Sequence, residues 1–347
     1  MVSVVIATRN RSVELRRTLL EIRRQTYSPI QMIVVDDASE SSLELVVREA
    51  WPEAIFVRRK VNVGQCECRT EAFALADGDY VLQLDDDSHL TQPGDLEQLV
   101  AMMNANPHVG MVALRIFNGD TLPSEPLPEQ KSRYTFSFVG CGVLFRKHTL
   151  DSVRGYLPFL QNEWEEEELS LRILKSGWAS YYWPDVLVHH RLSPQNRRTS
   201  RTWMRGFRNK LWAIVMHFPL RRLPLEMTWV LAIASFDAIR LFRIRPFAQG
   251  VFEFFRGLPR ASRLRAPMSN LVLRRYDALR FGILQTDQEY ADPPKLGLDD
   301  VRRWFRAWWN RPRQRSVWDR RQGDVGQSPT VKYAHEYKQE AVRPRDL

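Results

Sequence analysis

Hydrophobic positions in this chain gather into unbroken apolar runs that stop abruptly at polar clusters. Val2-Ser3-Val4-Val5-Ile6-Ala7 ends at Thr8-Arg9-Asn10. Met32-Ile33-Val34-Val35 ends at Asp36-Asp37, and Tyr80-Val81-Leu82-Gln83-Leu84 ends at Asp85-Asp86-Asp87. Such short, β-branched runs predict strands buried on both faces, hence parallel and sandwiched by helices. Between the runs the period changes. Leu15, Leu19 and Ile22 recur at helical spacing, and Ser41-Ser42-Leu43-Glu44 has the form of a capping box that opens a second helix. Ile55-Phe56-Val57 and residues 109–115 read as strands, residues 65–76 as a helix, and Pro93 suits the first position of another helix. This alternation predicts an α/β fold: a doubly wound, mostly parallel sheet flanked by helices.

The pattern then loosens. Residues 117–131 are polar and hold Pro123, Pro126 and Pro128, as an exposed loop would. Residues 136–145 are strand-like around Gly140 and Gly142, where the missing side chains predict a bulge or a close backbone approach to a ligand. Glu163-Trp164-Glu165-Glu166-Glu167-Glu168 opens a helix that Gly177 terminates, and Val186-Leu187-Val188 leads into His189-His190. Beyond residue 200 the spacing is helical and punctuated by prolines. Val301, Trp304, Phe305 and Trp308 lie on one helical face. The chain therefore divides into a catalytic-type domain over 1–200, with halves 1–115 and 116–200, a basic helical region over 201–311, and a polar tail over 312–347 that reads as disordered.

Composition sharpens this picture in three respects. The 347 residues are 44% hydrophobic, enough for a real core, and carry a formal net charge of +10. The basic excess lies in the second half. It fits an anionic partner: a membrane surface, a lipid diphosphate or nucleic acid. No nucleic-acid-binding module accompanies it, so nucleic acid is set aside. Cys66, Cys68 and Cys141 make no disulfide framework or zinc spacing and read as reduced structural thiols. The first strand begins at residue 2, leaving no room for a signal peptide, and residues 227–242 contain Asp237 and Arg240. The expectation is a cytoplasmic protein that at most lies on the inner face of a membrane.

In open α/β sheets, ligands bind beyond the carboxyl ends of the strands. Thr8, Asp36, Asp37 and Asp85 to Asp87 all arrive at that edge. Three adjacent carboxylates repel one another, and a divalent cation with oxygen preference relieves the conflict. A metal, and with it a phosphorylated substrate, is expected there.

Val4-Val5-Ile6-Ala7-Thr8-Arg9-Asn10-Arg11, Val34-Val35-Asp36-Asp37-Ala38-Ser39, Asn62-Val63-Gly64 with Arg69, and Leu84-Asp85-Asp86-Asp87 occur in this order. Together they resemble the nucleotide-sugar half of glycosyltransferase family 2, which has a GT-A fold. Val139-Gly140-Cys141-Gly142-Val143-Leu144-Phe145-Arg146 and the acidic helix start resemble its acceptor half. The resemblance covers residues 1 to about 215. It implies an inverting transferase, a hexosyl- or deoxyhexosyltransferase that takes a nucleotide-diphosphate sugar as donor. It further implies that Thr8, with Arg9 beside it, and Asp37 hold the nucleotide, that Asp36 sets loop geometry, and that Arg69 lies near the diphosphate. Asp85 and Asp87 match the outer positions of the DxD motif, with Asp86 between them. Asp87 is then a direct ligand of Mg²⁺ or Mn²⁺, Asp85 faces the ribose or the metal, and His189, before His190, completes the shell.

The resemblance assigns Glu166 as general base, with Glu165 and Glu163 open as alternatives. Gly140, Cys141 and Trp164 line an acceptor or sugar pocket, with Trp183 as a further aromatic platform. Arg205, Arg208, Asn209 and Lys210 match an Arg-Asn element that could bind the diphosphate or an anionic acceptor. The acceptor would be a saccharide or a lipid-linked molecule in bacterial polysaccharide or glycolipid assembly. Two other classes stay open. A nucleotidyltransferase uses the same elements, but the turn after the first strand lacks the glycines it would want. A non-catalytic scaffold could keep the fold, and Glu168 in place of the family's second Asp leaves room for it. The oligomeric state is open.

Overall fold

The computed structural model describes residues 1–192 and 199–309. The expected tail at 312–347 lies outside the described residues. The strands are β1 Val2–Thr8, β2 Ile30–Asp36, β3 Ile55–Arg58, β4 Tyr80–Asp85, β5 Ser88–Leu90, β6 Val109–Asn118, β7 Arg133–Tyr134, β8 Gly142–Arg146 and β9 Ala179–His190. The helices that flank them are α1 Ser12–Ile22, α2 Glu44–Ala50, α3 Gln65–Ala74, α4 Asp95–Ala105, α5 Lys147–Val153 and α6 Glu165–Lys175. A second group follows: α7 Thr199–His217, α8 Leu223–Arg240, α9 Ile244–Arg263, α10 Asn270–Arg280, α11 Asp287–Ala291 and α12 Leu298–Trp309.

Among the described residues the strands form one mixed sheet in the order β3-β2-β1-β4-β8-β6-β9-β5, with β7 added against β9. The apolar runs make the parallel part, β3-β2-β1-β4. Both of its faces are covered, as the runs require. Val4 and Ile6 pack with Leu15, Leu19 and Ile22 of α1, whereas Val5, Ile33 and Val81 pack with Cys66, Cys68 and Phe73 of α3. Beyond β4 the pairing changes sense: β8 runs antiparallel to β4 and β6, and β6 runs parallel to β9.

Three local expectations fail. Pro93 is not the first residue of a helix, because α4 starts at Asp95 with Gly94 at its N-cap. Residues 136–145 are not one strand, because only Gly142–Arg146 joins the sheet. The predicted capping box at Ser41 to Glu44 is absent: Leu43 stands at the N-cap of α2 without a side-chain cap bond. A capping box does occur at α11, between Thr286 and Glu289. Cys66, Cys68 and Cys141 are buried free thiols.

Candidate active site

Parallel register carries the site. Thr8 pairs with Asp36 across β1 and β2, and Ala7 pairs with Asp85 across β1 and β4, so three strand ends reach one edge together. Asp86 and Asp87 form the turn between β4 and β5. The three aspartates have different partners, apart from Arg11, which Asp86 and Asp87 share. Asp85 accepts a hydrogen bond from Arg69 Nη2 at 2.6 Å. Asp86 accepts from Thr8 Oγ1 at 2.7 Å and from Arg11 Nη1 at 2.8 Å. Asp87 meets His190 Nε2 at 3.2 Å and Arg11 Nη1 at 3.4 Å. Burial, with the charge of Asp87, pushes the Asp86 carboxyl up to about 7 against the pull of Arg11 and Thr8. Asp86 and Asp87 are buried, whereas the Asp85 side chain is 31% exposed and opens to the crevice.

Side-chain alternation along β9 decides which histidine takes part. His189 points away from the acidic cluster, and its Nε2 lies 2.7 Å from the Gly119 carbonyl. His190, the next residue, faces Asp87 and has Nδ1 2.9 Å from Asn118 Oδ1. Of the two histidines it is therefore His190, and not the expected His189, that faces the acidic cluster. Burial alone would lower the pKa of His190. The hydrogen bond and charge of the Asp87 carboxylate oppose it, and the imidazole is held well above its usual range. Ligand atoms of Asp85, Cys141 and His190 lie within 4.8 Å of one another. Burial raises the Cys141 thiol, which disfavours the thiolate that a metal needs. The Asp85 carboxylate suits Mg²⁺ or Mn²⁺, and His190 could join it only by giving up a proton, which a bound cation favours. Asp87, expected as a direct ligand, is buried and turned to His190 and Arg11.

The expected nucleotide residues lie around the same edge. Asp37, expected to hold the nucleotide, is itself held by a loop: Asn62 Nδ2, Val63 N and Gly64 N donate to it at 2.5, 2.7 and 3.0 Å. Asp36 accepts from Ser39 N at 2.9 Å and so shapes its turn. Thr8 is buried and Arg9 is exposed.

Opposite the aspartates, the first turn of α6 presents four glutamates in four environments. Glu165 accepts from Gln65 Nε2 at 2.5 Å and lies 3.9 Å from Arg69 Nη1. Glu166 Oε1 accepts from Gly140 N at 2.6 Å. Burial pushes the Glu167 carboxyl to about 7, with Ser137 and Lys210 opposing. Glu168 is fully buried, yet Arg172 and His217 draw it down to about 2. The Glu166 carboxyl is held well above the usual range by burial first, then by Glu165 and Glu167, with Arg69 opposing. A side chain at Gly140 would displace the side of the expected base: a Cβ there would run into Glu166 Oε1 and approach Arg69 Nη1 to 2.9 Å. Arg69 thus links the two sides of the crevice. It is buried, and its Nη1 has no hydrogen-bond partner among the described residues.

The loop before α6 is strained. Gln161, Glu163 and Trp164 all have positive φ, at 69°, 70° and 65°. Asn209 of α7, fully buried, holds it by donating Nδ2 to the carbonyls of Leu160, Asn162 and Glu163 at 3.0, 3.1 and 2.6 Å. Arg205 bonds the Asn162 side chain, and Arg208 pairs with Glu253. Asn209 and Arg208 therefore serve the loop and the α7–α9 contact, and neither is free to bind a diphosphate. Lys210 Nζ sits 5.4 Å over the Trp164 ring. Sequence reasoning missed Gln65, Asn118 and the loop-holding role of Asn209. Only Asn209 left a signal, as part of the Arg-Asn element.

Residues 3–153 match the family model described as Glycosyl transferase family 2. A glycosyl transferase of Escherichia coli named for colanic acid biosynthesis, WcaA, is 34% identical over 26% of this chain and 34% of its own. The first such curated relatives are matched over only 34% to 65% of their length. Among solved structures, a mannosyltransferase from Pyrobaculum calidifontis in complex with GDP-Man and Mn²⁺ is 18% identical, with a TM-score of 0.50 over 76% of this chain and 83% of that one. TarS 1–349 of S. aureus in complex with UDP-GlcNAc is 13% identical, with a TM-score of 0.56 over 80% of this chain and 87% of that one. At these identities the likeness establishes the fold, the mixed α/β sheet of GT-A glycosyltransferases.

Proposed function

We propose that the chain is a glycosyltransferase that moves a sugar from a nucleotide-diphosphate sugar to an acceptor hydroxyl, with inversion by one direct displacement. The observation that carries this reading is Arg69. It joins the exposed Asp85 to the Glu165–Glu166 pair across one crevice, so a leaving-group site and a base face each other. Its Nη1, 3.9 Å from Glu165 and without a hydrogen bond among the described residues, is a buried cationic donor suited to a diphosphate oxygen. Asp85 and His190 would hold a divalent cation, and such a cation supplies Lewis-acid neutralisation of the departing diphosphate.

In the displacement, the acceptor oxygen bonds to the anomeric carbon as the bond from that carbon to the diphosphate oxygen breaks. The hydroxyl proton passes to the Glu166 carboxylate, and the nucleoside diphosphate leaves. Gly140 N aims Glu166 by its hydrogen bond. Trp164, held at positive φ beside the base, offers an apolar face to a sugar. Similarity to WcaA and the basic, partly apolar helices support a saccharide or lipid-linked acceptor on the cytoplasmic side of an anionic membrane, in surface polysaccharide or glycolipid assembly.

A thermal-shift screen of nucleotide sugars with and without Mn²⁺ tests the donor site, because a ligand of the native state raises its melting temperature. Glu166→Gln should keep that shift and lose about 10²–10⁴-fold in transfer rate. Undiminished transfer by the variant removes Glu166 as base. The absence of a shift with every donor removes the donor site.

A further inference from the structure

We propose that α8, α9 and the turn between them form a docking surface for an anionic lipid bilayer. Phe236, Phe242, Phe252 and Phe255 are all the exposed phenylalanines among the described residues, and all lie in this hairpin. Phe242 is 93% exposed at the turn, flanked by Ile239 and Ile244 at 68% and 56%. The inward faces are filled: Val230, Ala234 and Ala238 of α8 are buried, as are Gly250, Phe254 and Ala261 of α9. The apolar outer residues are therefore a second face that no other described residue covers. On α8 the exposed positions Leu225, Thr228, Ala232, Phe236 and Ile239 carry no charge for four turns, where a helix facing water carries polar residues. No described helix is long and apolar enough to cross a membrane, so this surface lies on one.

Charge identifies the partner. Arg240, Arg243, Arg245 and Arg256 surround the apolar residues and form no salt bridge among the described residues, although Asp237 lies close enough to Arg240 and Arg243 to interact electrostatically. Arginine stems lie along an apolar surface while their heads reach phosphate groups. A symmetric contact between two copies through this face would set arginine against arginine, so the bilayer is favoured over a dimer. The inference deepens the acceptor part of the proposed function, since a docked crevice would meet a lipid-linked acceptor. It is scored without donor or transfer and so can fail separately.

The test is sedimentation of the full chain with vesicles. Binding to vesicles with about 30% phosphatidylglycerol should exceed binding to pure phosphatidylcholine by at least about tenfold and fall with salt. Arg240→Glu with Arg243→Glu should remove the preference. Phe236→Ser with Phe242→Ser should weaken binding to both vesicle types. Each pair should leave the circular dichroism spectrum and melting temperature close to those of the parent chain. Parent-like sedimentation of both pairs would overturn the proposal. So would absence of vesicle binding, or concentration-dependent dimerisation in solution that the Phe236→Ser, Phe242→Ser pair abolishes.

Discussion

Glu166 accepts the Gly140 amide at 2.6 Å, and burial, reinforced by Glu165 and Glu167, holds its carboxyl well above the ordinary range. A base must be ionised to take a proton. A raised pKa therefore means that acid silences it early. Transfer at saturating donor should climb with pH through that raised pKa and level off above it. A rate that stays flat from about pH 5 to 8 would show that no carboxyl with a raised pKa limits the step. A second contrast tests the histidines. His190→Ala should weaken Mn²⁺ binding, measured by calorimetry, at least about tenfold. His189→Ala should leave it unchanged, because that ring bonds Gly119 on the other face of β9. Equal losses in the two variants would refute the assignment.

At the scale of elements, the proposed base depends on a contact from outside its own helix. Three residues of positive φ precede α6, and such backbone persists only where its surroundings hold it. Asn209 supplies the hold with a side-chain amide shared among three carbonyls. Asn209→Ala should cost about 1–3 kcal/mol of stability. It should lower kcat more than it changes the nucleotide-sugar thermal shift, because the loop carries the base and not the donor-side aspartates. Asn209→Asp keeps the shape but cannot donate, so it should do no better. If both variants retain parent kcat, the latch has no bearing on catalysis.

The helices after the catalytic half are built into the molecule. Tyr134 Oη donates to Asp287 at 2.5 Å, and Tyr290 Oη donates to the Trp178 carbonyl at 2.9 Å. Phe207 and Leu211 of α7 join the same core as β1. A chain ended at Leu192 should therefore lose cooperative unfolding, followed by heating with near-ultraviolet circular dichroism. A sharp transition at the parent temperature would show that residues 1–192 fold alone.

Much of this was legible in the chain. The apolar runs foretold β1, β2 and β4, because a strand covered on both faces needs apolar side chains at successive positions. Their polar ends foretold the edge where Thr8, Asp36 and Asp85 meet. The shift to antiparallel pairing at β8 was not legible, since strand direction follows from contacts made far along the chain. The choice between His189 and His190 was lost for a related reason: one residue of phase in a strand reverses the face. Nor could a run of like glutamates say which one meets Gly140, which meets Arg172, and which is left facing the crevice. Local composition determined where carboxylates would gather. Only packing between distant segments decided how each is buried, paired and aimed, because desolvation and hydrogen bonding belong to the neighbours a side chain acquires on folding.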